Sequence, residues 1–427
     1  MSTFTAVTFQ NEYLPAGTNE VDAIVTVTAA GDPATDPGGV PAGDRTEIII
    51  LDKSGSMGGG KLAAAKRATT AAIDCIPDGT HFSVIAGDGT AAVIVPLTPA
   101  GTSTRRLARE RVGRLQASGG TAMSTWLAAA AEVFRQRTGA INHAILLTDG
   151  KNESETRARL DAALTGVTGL FQCDCRGVGT GWLVEELRHI SGSLLGTVDI
   201  VAEPDGLAAD FTDMIGAAMG RSTPDVRLRV WTPAGATLAF VKQVAPRIED
   251  LTGKRTDVTA RVGEYPTGAW SVESRDYHIG VAVVPGEVND EKLAARVSVV
   301  STDSSGAEQV TAQALVRAVW TDDVALSTRI NRQVAHYTGQ AELAAVIAEG
   351  LEARKAGDDR TATVKLGRAA QLAAASGNTA TTDLLAKVVE IEDPATGTVR
   401  LRRRVEAADE MALDTRSTRT VRVGKQD

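Results

Sequence analysis

A doubly wound, mostly parallel α/β unit inserted into a β-sandwich, with a helical region after it, is the fold that the sequence predicts. Three observations carry this. Between 47 and 220, short continuous apolar runs alternate with helical patterns, which implies a sheet covered on both faces. From 224 to 320 the hydrophobic period falls to two, with Gly, Pro and Ser turns between the runs, as in a sandwich. Two further alternating stretches, at 4–9 and 21–28, stand apart at the beginning of the chain. Two strands are not stable alone, so these are expected to join the sandwich and leave the α/β unit as an insertion.

In chain order, residues 1–30 hold those two strands, and the segment to 44, dense in Gly, Pro and Asp, reads as a linker. The α/β unit occupies 45–220. Its strands are expected at 47–52, 81–86, 91–97, 143–149, 171–179 and 196–202, and its helices at 62–76, 104–115, 125–137, 153–164, 183–190 and 207–219. In the first helix Leu62, Ala65, Ala72, Ile73 and Ile76 share one face. The GDGT between 81–86 and 91–97 predicts a hairpin and hence one antiparallel edge strand. The sandwich is placed at 221–320, with strands at 226–231, 237–244, 257–262, 270–274, 278–284, 293–300 and 308–320. Ala- and Leu-rich stretches at 325–350, 362–375 and 381–390 make 321–393 a helical region, broken by GDD at 357–359. Residues 394–427, with RRR and TRSTRT and no apolar period, are expected to be a flexible tail.

Composition narrows the function. Lys and Arg total 45 against 53 Asp and Glu, a net charge of −8, and a nucleic-acid surface needs a basic face. Aromatics are 4% of the chain, too few for stacking platforms. No run approaches the roughly 20 apolar residues of a membrane span, and the first residues lack the basic and apolar regions of a secretory signal. Three cysteines, Cys75, Cys173 and Cys175, make no disulfide framework and read as core residues. A cytoplasmic location is therefore expected. The five histidines are scattered, and His81 and His143, at strand starts, read as structural.

One constellation carries chemistry. The first α/β strand ends in Asp52-Lys53-Ser54-Gly55-Ser56, a carboxylate and two hydroxyls at alternate positions where such sheets bind ligands. Thr121 in SGGTAM and Asp149 in LLTDG fall in equivalent loops. Five oxygen donors without sulfur or imidazole suit a hard divalent ion. Lys53, between the ligands, reads as solvated.

This set, DxSxS at Asp52, Ser54 and Ser56 with Thr121 and the TDG aspartate Asp149, resembles the von Willebrand factor A (VWA) domain and its metal-ion-dependent adhesion site (MIDAS), over about 45–220. The resemblance implies a Rossmann-like fold and an intracellular bacterial type. It implies that Ser54, Ser56 and Thr121 give hydroxyl oxygens to Mg²⁺, with Mn²⁺ or Ca²⁺ as alternative occupants, while Asp52 and Asp149 hold it mostly through water. An ion so little neutralised attracts an Asp or Glu of a partner protein. The implied function is Mg²⁺-dependent protein–protein recognition by an adaptor or scaffold, not catalysis. The implied partners are an AAA-type ATPase, a kinase or a forkhead-associated signalling protein.

Two other readings stay open. GSMGGGK at 55–61 matches GxxxxGK, the phosphate loop of a nucleotide hydrolase, although Leu62 stands where the magnesium-binding hydroxyl belongs. A structural protein with a vestigial metal site is the other. In the tail, Thr418 and Thr420 each precede a valine by three residues, a spacing that resembles phosphothreonine sites read by forkhead-associated domains; an unmodified tail is the favoured reading.

Overall fold

Three strands open the chain: β1 (Thr3–Gln10), β2 (Tyr13–Pro15) and β3 (Glu20–Ala30). The computed structural model describes residues 3–31, 45–137, 141–302 and 307–423, so most of the expected linker lies outside the described residues. Met1–Thr35 and Asp225–Asp427 form one unit, and Asp36–Pro224 forms the other.

The middle unit is a six-stranded sheet. Its strands are β4 (Arg45–Asp52), β5 (His81–Gly87), β6 (Ala91–Pro99), β7 (Ile141–Thr148), β8 (Gln172–Val178) and β9 (Val198–Val201), in the order β6-β5-β4-β7-β8-β9. All neighbours are parallel except β5 and β6, the expected hairpin. Every residue of β4 is buried, because it has strands on both sides and helices on both faces. Those helices are α1 (Lys61–Cys75), α2 (Thr102–Gly113), α3 (Met123–Phe134), α4 (Arg157–Val167), α5 (Val184–Ser193) and α6 (Leu207–Met219). The apolar stripe Leu62, Ala65, Ala72 and Ile73 of α1 packs in one core with Ile49, Leu51, Phe211 and Ile215. Cys75 departs from its expected place: it lies past that stripe at the end of α1 and is exposed, whereas Cys173 and Cys175 are buried.

The other unit pairs distant parts of the chain. Its remaining strands are β10 (Thr223–Trp231), β11 (Thr237–Ala245), β12 (Glu249–Asp250), β13 (Thr256–Thr259), β14 (Val262–Trp270), β15 (Glu273–Ala282), β16 (Glu291–Thr302) and β17 (Glu308–Thr321). One sheet has the order β1-β3-β15-β11-β12 and the second β13-β14-β10-β16-β17-β2. Of the amino-terminal strands, β3 carries β1 and pairs with β15, Ile24 lying opposite His278, while β2 pairs with β17 in the second sheet. Phe4 of the first sheet meets Trp270 of the second edge to face, ring centres 5.6 Å apart. The strand expected at 270–274 straddles the short turn at 271–272 between the end of β14 and the start of β15, where the Arg275 guanidinium donates to the carbonyls of Thr267 and Ala269. The strand expected at 257–262 is likewise a hairpin, β13 into β14.

After β17 come α7 (Val324–Ser327), α8 (Arg332–Lys355), α9 (Asp359–Ser376) and α10 (Thr379–Val388). Asn331, Asp358 and Asn378 cap the last three, each side chain accepting from a first-turn N–H. Tyr337 of α8 donates its hydroxyl to Asp276 of β15, which ties this region to the first sheet.

Two expectations fail at the carboxyl end. The helical region does not continue to 393. Val389–Asp393 and Thr398–Leu401 form an antiparallel hairpin, β18 and β19, whose period-two VEIED and TVRL flank a turn at Gly397. Of the expected tail 394–427, the described residues 394–423 are not loose either. Ala407–Arg416 forms α11, and Leu413 is wholly buried in one core with Leu343, Ile347, Leu366 and Leu385. The Thr420 hydroxyl donates to the Val244 carbonyl at 2.6 Å, and Val421 N donates to the Gln340 side chain at 2.8 Å. Thr420 is therefore a packed β-edge contact and not a free acceptor for phosphate. Among the described residues no helix is long and apolar enough to cross a membrane.

Candidate metal centre

The chain winds from β4 to β5 and β6 on one side, then returns to β7 on the other. The carboxyl ends of β4 and β7 therefore flank the switch point, where open α/β sheets take ligands. Asp52 ends β4, Thr148 ends β7 and Asp149 follows it.

Hydrogen bonds fix each side chain. Asp52 is fully buried; its Oδ1 accepts from Ser54 N at 2.7 Å and its Oδ2 from the Thr148 hydroxyl at 2.5 Å. Ser54 Oγ lies 3.0 Å from Ser56 Oγ, and Ser56 Oγ donates to Asp149 Oδ1 at 2.7 Å. The other oxygen of Asp149 accepts from Lys61 Nζ at 2.5 Å. Gly60, just before α1, has φ +102, a backbone that favours glycine. It lets the loop turn into the helix that carries Lys61.

Thr121 is 65 residues further along than Ser56 and reaches the site by backbone stitching. Gly55 N donates to Gly119 O at 3.0 Å, Ser118 N to Lys53 O at 2.7 Å, and Ala122 N to Asp88 O at 3.0 Å. A third loop clamps it from the other side: Ser154 N donates to Thr121 O, and Thr121 N to Ser154 Oγ, both at 2.9 Å. Asn152 and Glu155 of that loop accept from Met123 N and Ser124 N at the start of α3. These supports escaped the sequence reading; NES at 152–154, next to the TDG motif, was their only trace.

The convergence is clearest at Gly150. A Cβ placed there would lie 3.1 Å from Ser56 Oγ, 3.3 Å from Thr121 Oγ1 and 3.9 Å from Asp52 Oδ2. Oxygens from β4, the Thr121 loop and the adjoining turn thus border a cradle that is tight even for a methyl group. Burial pushes the Asp52 carboxyl above its usual range, and the nearby Asp149 charge adds to the effect, against hydrogen bonds from Thr148 and Ser54. A cation would relieve that cost. Among the described residues no three of His, Cys, Asp and Glu gather as metal ligands, so the centre stands on hydroxyls with two carboxylates. That donor set fits a small hard ion such as Mg²⁺ and not a thiophilic one.

Two neighbouring expectations change. Lys53 is not merely solvated: it pairs with Asp88, with side chains only 19% and 18% exposed, and donates to Ser118 Oγ at 3.2 Å. The GxxxxGK segment holds one turn of 3₁₀-helix at Gly55–Met57, and its lysine is bound to Asp149.

A second buried network lies nearer the opposite, amino-terminal ends of the strands. His143 of β7 sits between Glu47 of β4, 2.9 Å from Nδ1, and Asp174 of β8, 2.8 Å from Nε2. Burial disfavours the imidazolium, but the Glu47 charge and hydrogen bonds to both carboxylates outweigh it and raise the His143 pKa. The structural role expected for His143 is thus an ionic one.

A family model described as von Willebrand factor type A domain matches residues 48–151, and one described as von Willebrand factor type A C-terminal domain matches 371–417. The second spans the hairpin and α11. Among curated proteins, the chain is 28% identical over 209 residues to an uncharacterized protein of Synechocystis sp., covering 48% of this chain and 49% of that protein. It is 27% identical over 154 residues to inter-alpha-trypsin inhibitor heavy chain H4 of Homo sapiens, 34% of this chain and 17% of that one. The chain thus spans half or less of the curated relatives it matches. Among solved structures, von Willebrand factor type A from Catenulispora acidiphila is 49% identical over 99% of this chain and 98% of that one, with TM-score 0.93. The ArnB paralog VWA2 from Sulfolobus acidocaldarius, 12% identical over 98% and 99%, has TM-score 0.59 and shares the fold. With near-complete coverage at that first identity, the chain belongs to the von Willebrand factor type A family.

Proposed function

We propose that this protein is a metal-dependent interaction module that grips an acidic residue of a partner protein. VWA domains generally serve protein interaction and are typically not enzymes. Here Ser54, Ser56 and Thr121 would hold Mg²⁺ through hydroxyls, with Asp52 and Asp149 behind them. The bound ion supplies a positive centre with open coordination for a carboxylate. The chain's own part is to orient those oxygens through Thr148, Ser54 N and Ser154, and to keep Asp52 out of water. The observation that carries the reading is the cradle over Gly150, where three site oxygens lie within 4 Å of one point.

The carrier fits the same role. We read the two sheets of the outer unit as a sandwich into which the VWA unit is inserted between β3 and β10, with the expected divisions near 45 and 220. A cytoplasmic bacterial adaptor working beside an ATPase, kinase or forkhead-associated protein is the setting this reading favours. Calorimetric titration with MgCl₂ and MnCl₂ tests it. One ion per chain is expected for the wild type and none for Asp52→Ala; equal binding by both, or none by either, removes the reading.

A further inference from the structure

The lysine of the phosphate-loop look-alike has no nucleotide role in the reading above, yet it is tied to the site. Lys61 begins α1, and its ammonium lies 2.5 Å from Asp149 Oδ2, while Asp149 Oδ1 takes the Ser56 hydroxyl at 2.7 Å. The Asp149 side chain is wholly buried and that of Lys61 is 34% exposed. Gly179, after β8, lies under the same side chain, its Cβ position 3.9 Å from Lys61 Cε. The ammonium thus occupies one oxygen of one of the centre's two carboxylates. Lys53 is differently placed, since its partner is Asp88.

We propose that Lys61 is a resident counter-cation of the centre, which weakens its hold on a divalent ion and strengthens that ion's pull on a partner's carboxylate. The inference rests on the cation reading above and adds a residue outside the five ligands. The charge count carries it. Two carboxylates and one divalent ion sum to zero, so although carboxylates acting through water leave the ion's own face positive, they weaken its attraction for a further anion. With Lys61 the sum is +1. The same charge repels the incoming metal, because both effects follow from one Coulomb interaction in a partly buried site. Affinity for metal and affinity for carboxylate are therefore traded against each other. A merely structural lysine would not produce this pattern of opposite signs.

The test uses the full chain with Mn²⁺ as the metal and acetate as the carboxylate probe. Calorimetry gives the Mn²⁺ Kd, and water-proton relaxation of bound Mn²⁺ gives the acetate concentration that displaces its water. Lys61→Met is expected to bind Mn²⁺ on the order of tenfold more tightly and to need several-fold more acetate. Lys61→Arg keeps the charge and should match the wild type in both readings. Thermal melts of the metal-free proteins confirm that each variant folds. Unchanged or weaker Mn²⁺ binding by Lys61→Met, or the same change in Lys61→Arg, overturns the inference and leaves the cation reading standing. A wild type that takes no Mn²⁺ removes both.

Discussion

Replacing Gly150 by alanine puts a methyl group into the cradle and changes little else. Gly150 is not among the glycines with positive φ, so alanine adopts its backbone without strain. The new Cβ would stand 3.1 Å from Ser56 Oγ and 3.3 Å from Thr121 Oγ1, so both hydroxyls must yield by a few tenths of an ångström. Overpacking typically costs about 1–3 kcal/mol. The low end applies here because Ser56, the nearer contact, is at the surface and its hydroxyl can turn away, so that only the buried Thr121 hydroxyl must give within the fold. Metal-free stability should therefore fall by about 1 kcal/mol. The larger effect is on the ion, whose oxygens are displaced and whose space is filled. At 100 times its Kd, a ligand specific for the folded state adds about 2.7 kcal/mol. For a domain of this size that raises the unfolding midpoint by about 5–10 °C. Differential scanning fluorimetry with EDTA or saturating MgCl₂ reads both quantities. Wild type should show the Mg²⁺ shift and Gly150→Ala should show none. An alanine variant with an undiminished shift would mean that the cradle is not where the cation sits.

Further outcomes follow from the same geometry. Thr121→Ala removes a hydroxyl but leaves the backbone pairing with Ser154 intact. It should abolish most of the Mg²⁺ shift while costing the metal-free fold about 1 kcal/mol or less. Asp52→Ala takes the acceptor from Ser54 N and leaves the buried Thr148 hydroxyl only a 3.4 Å contact to the Gly150 carbonyl, and should cost about 1–3 kcal/mol even with EDTA present. Leu413→Ala, in the buried cluster of α11, should cost about 2–5 kcal/mol and expose the carboxyl-terminal segment to limited proteolysis; a loss below about 0.5 kcal/mol, ordinary for a surface site, would return that segment to a loose tail. The His143 network predicts a pH effect. Its pKa is raised from the ordinary 6.5, so its stabilisation is full below that value and is lost as pH rises through the folded one. Glu47, also raised chiefly by burial, acts with the same sign at lower pH, whereas Asp174, held low against burial by its hydrogen bond to His143, loses its contribution only in acid. Urea midpoints should therefore fall from about pH 6.5 to 9; a rise over that window contradicts the ionic assignment.

The parts of the molecule that the sequence announced share one physical feature, dense local patterning. β4 is apolar throughout because strands flank it on both sides, and α6 lies where its 3.6-residue stripe begins and ends. The site was legible because strand ends concentrate ligands, and DxSxS and TDG each sit at one. The joining of the β1–β3 pair to β15 followed from the instability of two strands alone. What escaped was non-local or weakly patterned. α11 owes its place to Ala412, Leu413 and Thr415, three buried residues among charged ones, too few to outweigh RRR and TRSTRT. The β18–β19 hairpin was hidden by its neighbour, since Val388 ends a helix and Val389 begins a strand. Glu47, His143 and Asp174 come from three strands and meet only when the sheet forms. Ser154 and Glu155 act through backbone amides of another loop, a relation with no spacing to read.

The central claim is that Ser54, Ser56 and Thr121, backed by Asp52 and Asp149, form one divalent-cation centre. Anomalous diffraction from crystals grown with MnCl₂ tests it most directly. A single strong peak is expected beside Gly150, between the Ser56 and Thr121 hydroxyls, and none there in Thr121→Ala. A manganese peak elsewhere, or none in that cradle at millimolar Mn²⁺, would contradict it.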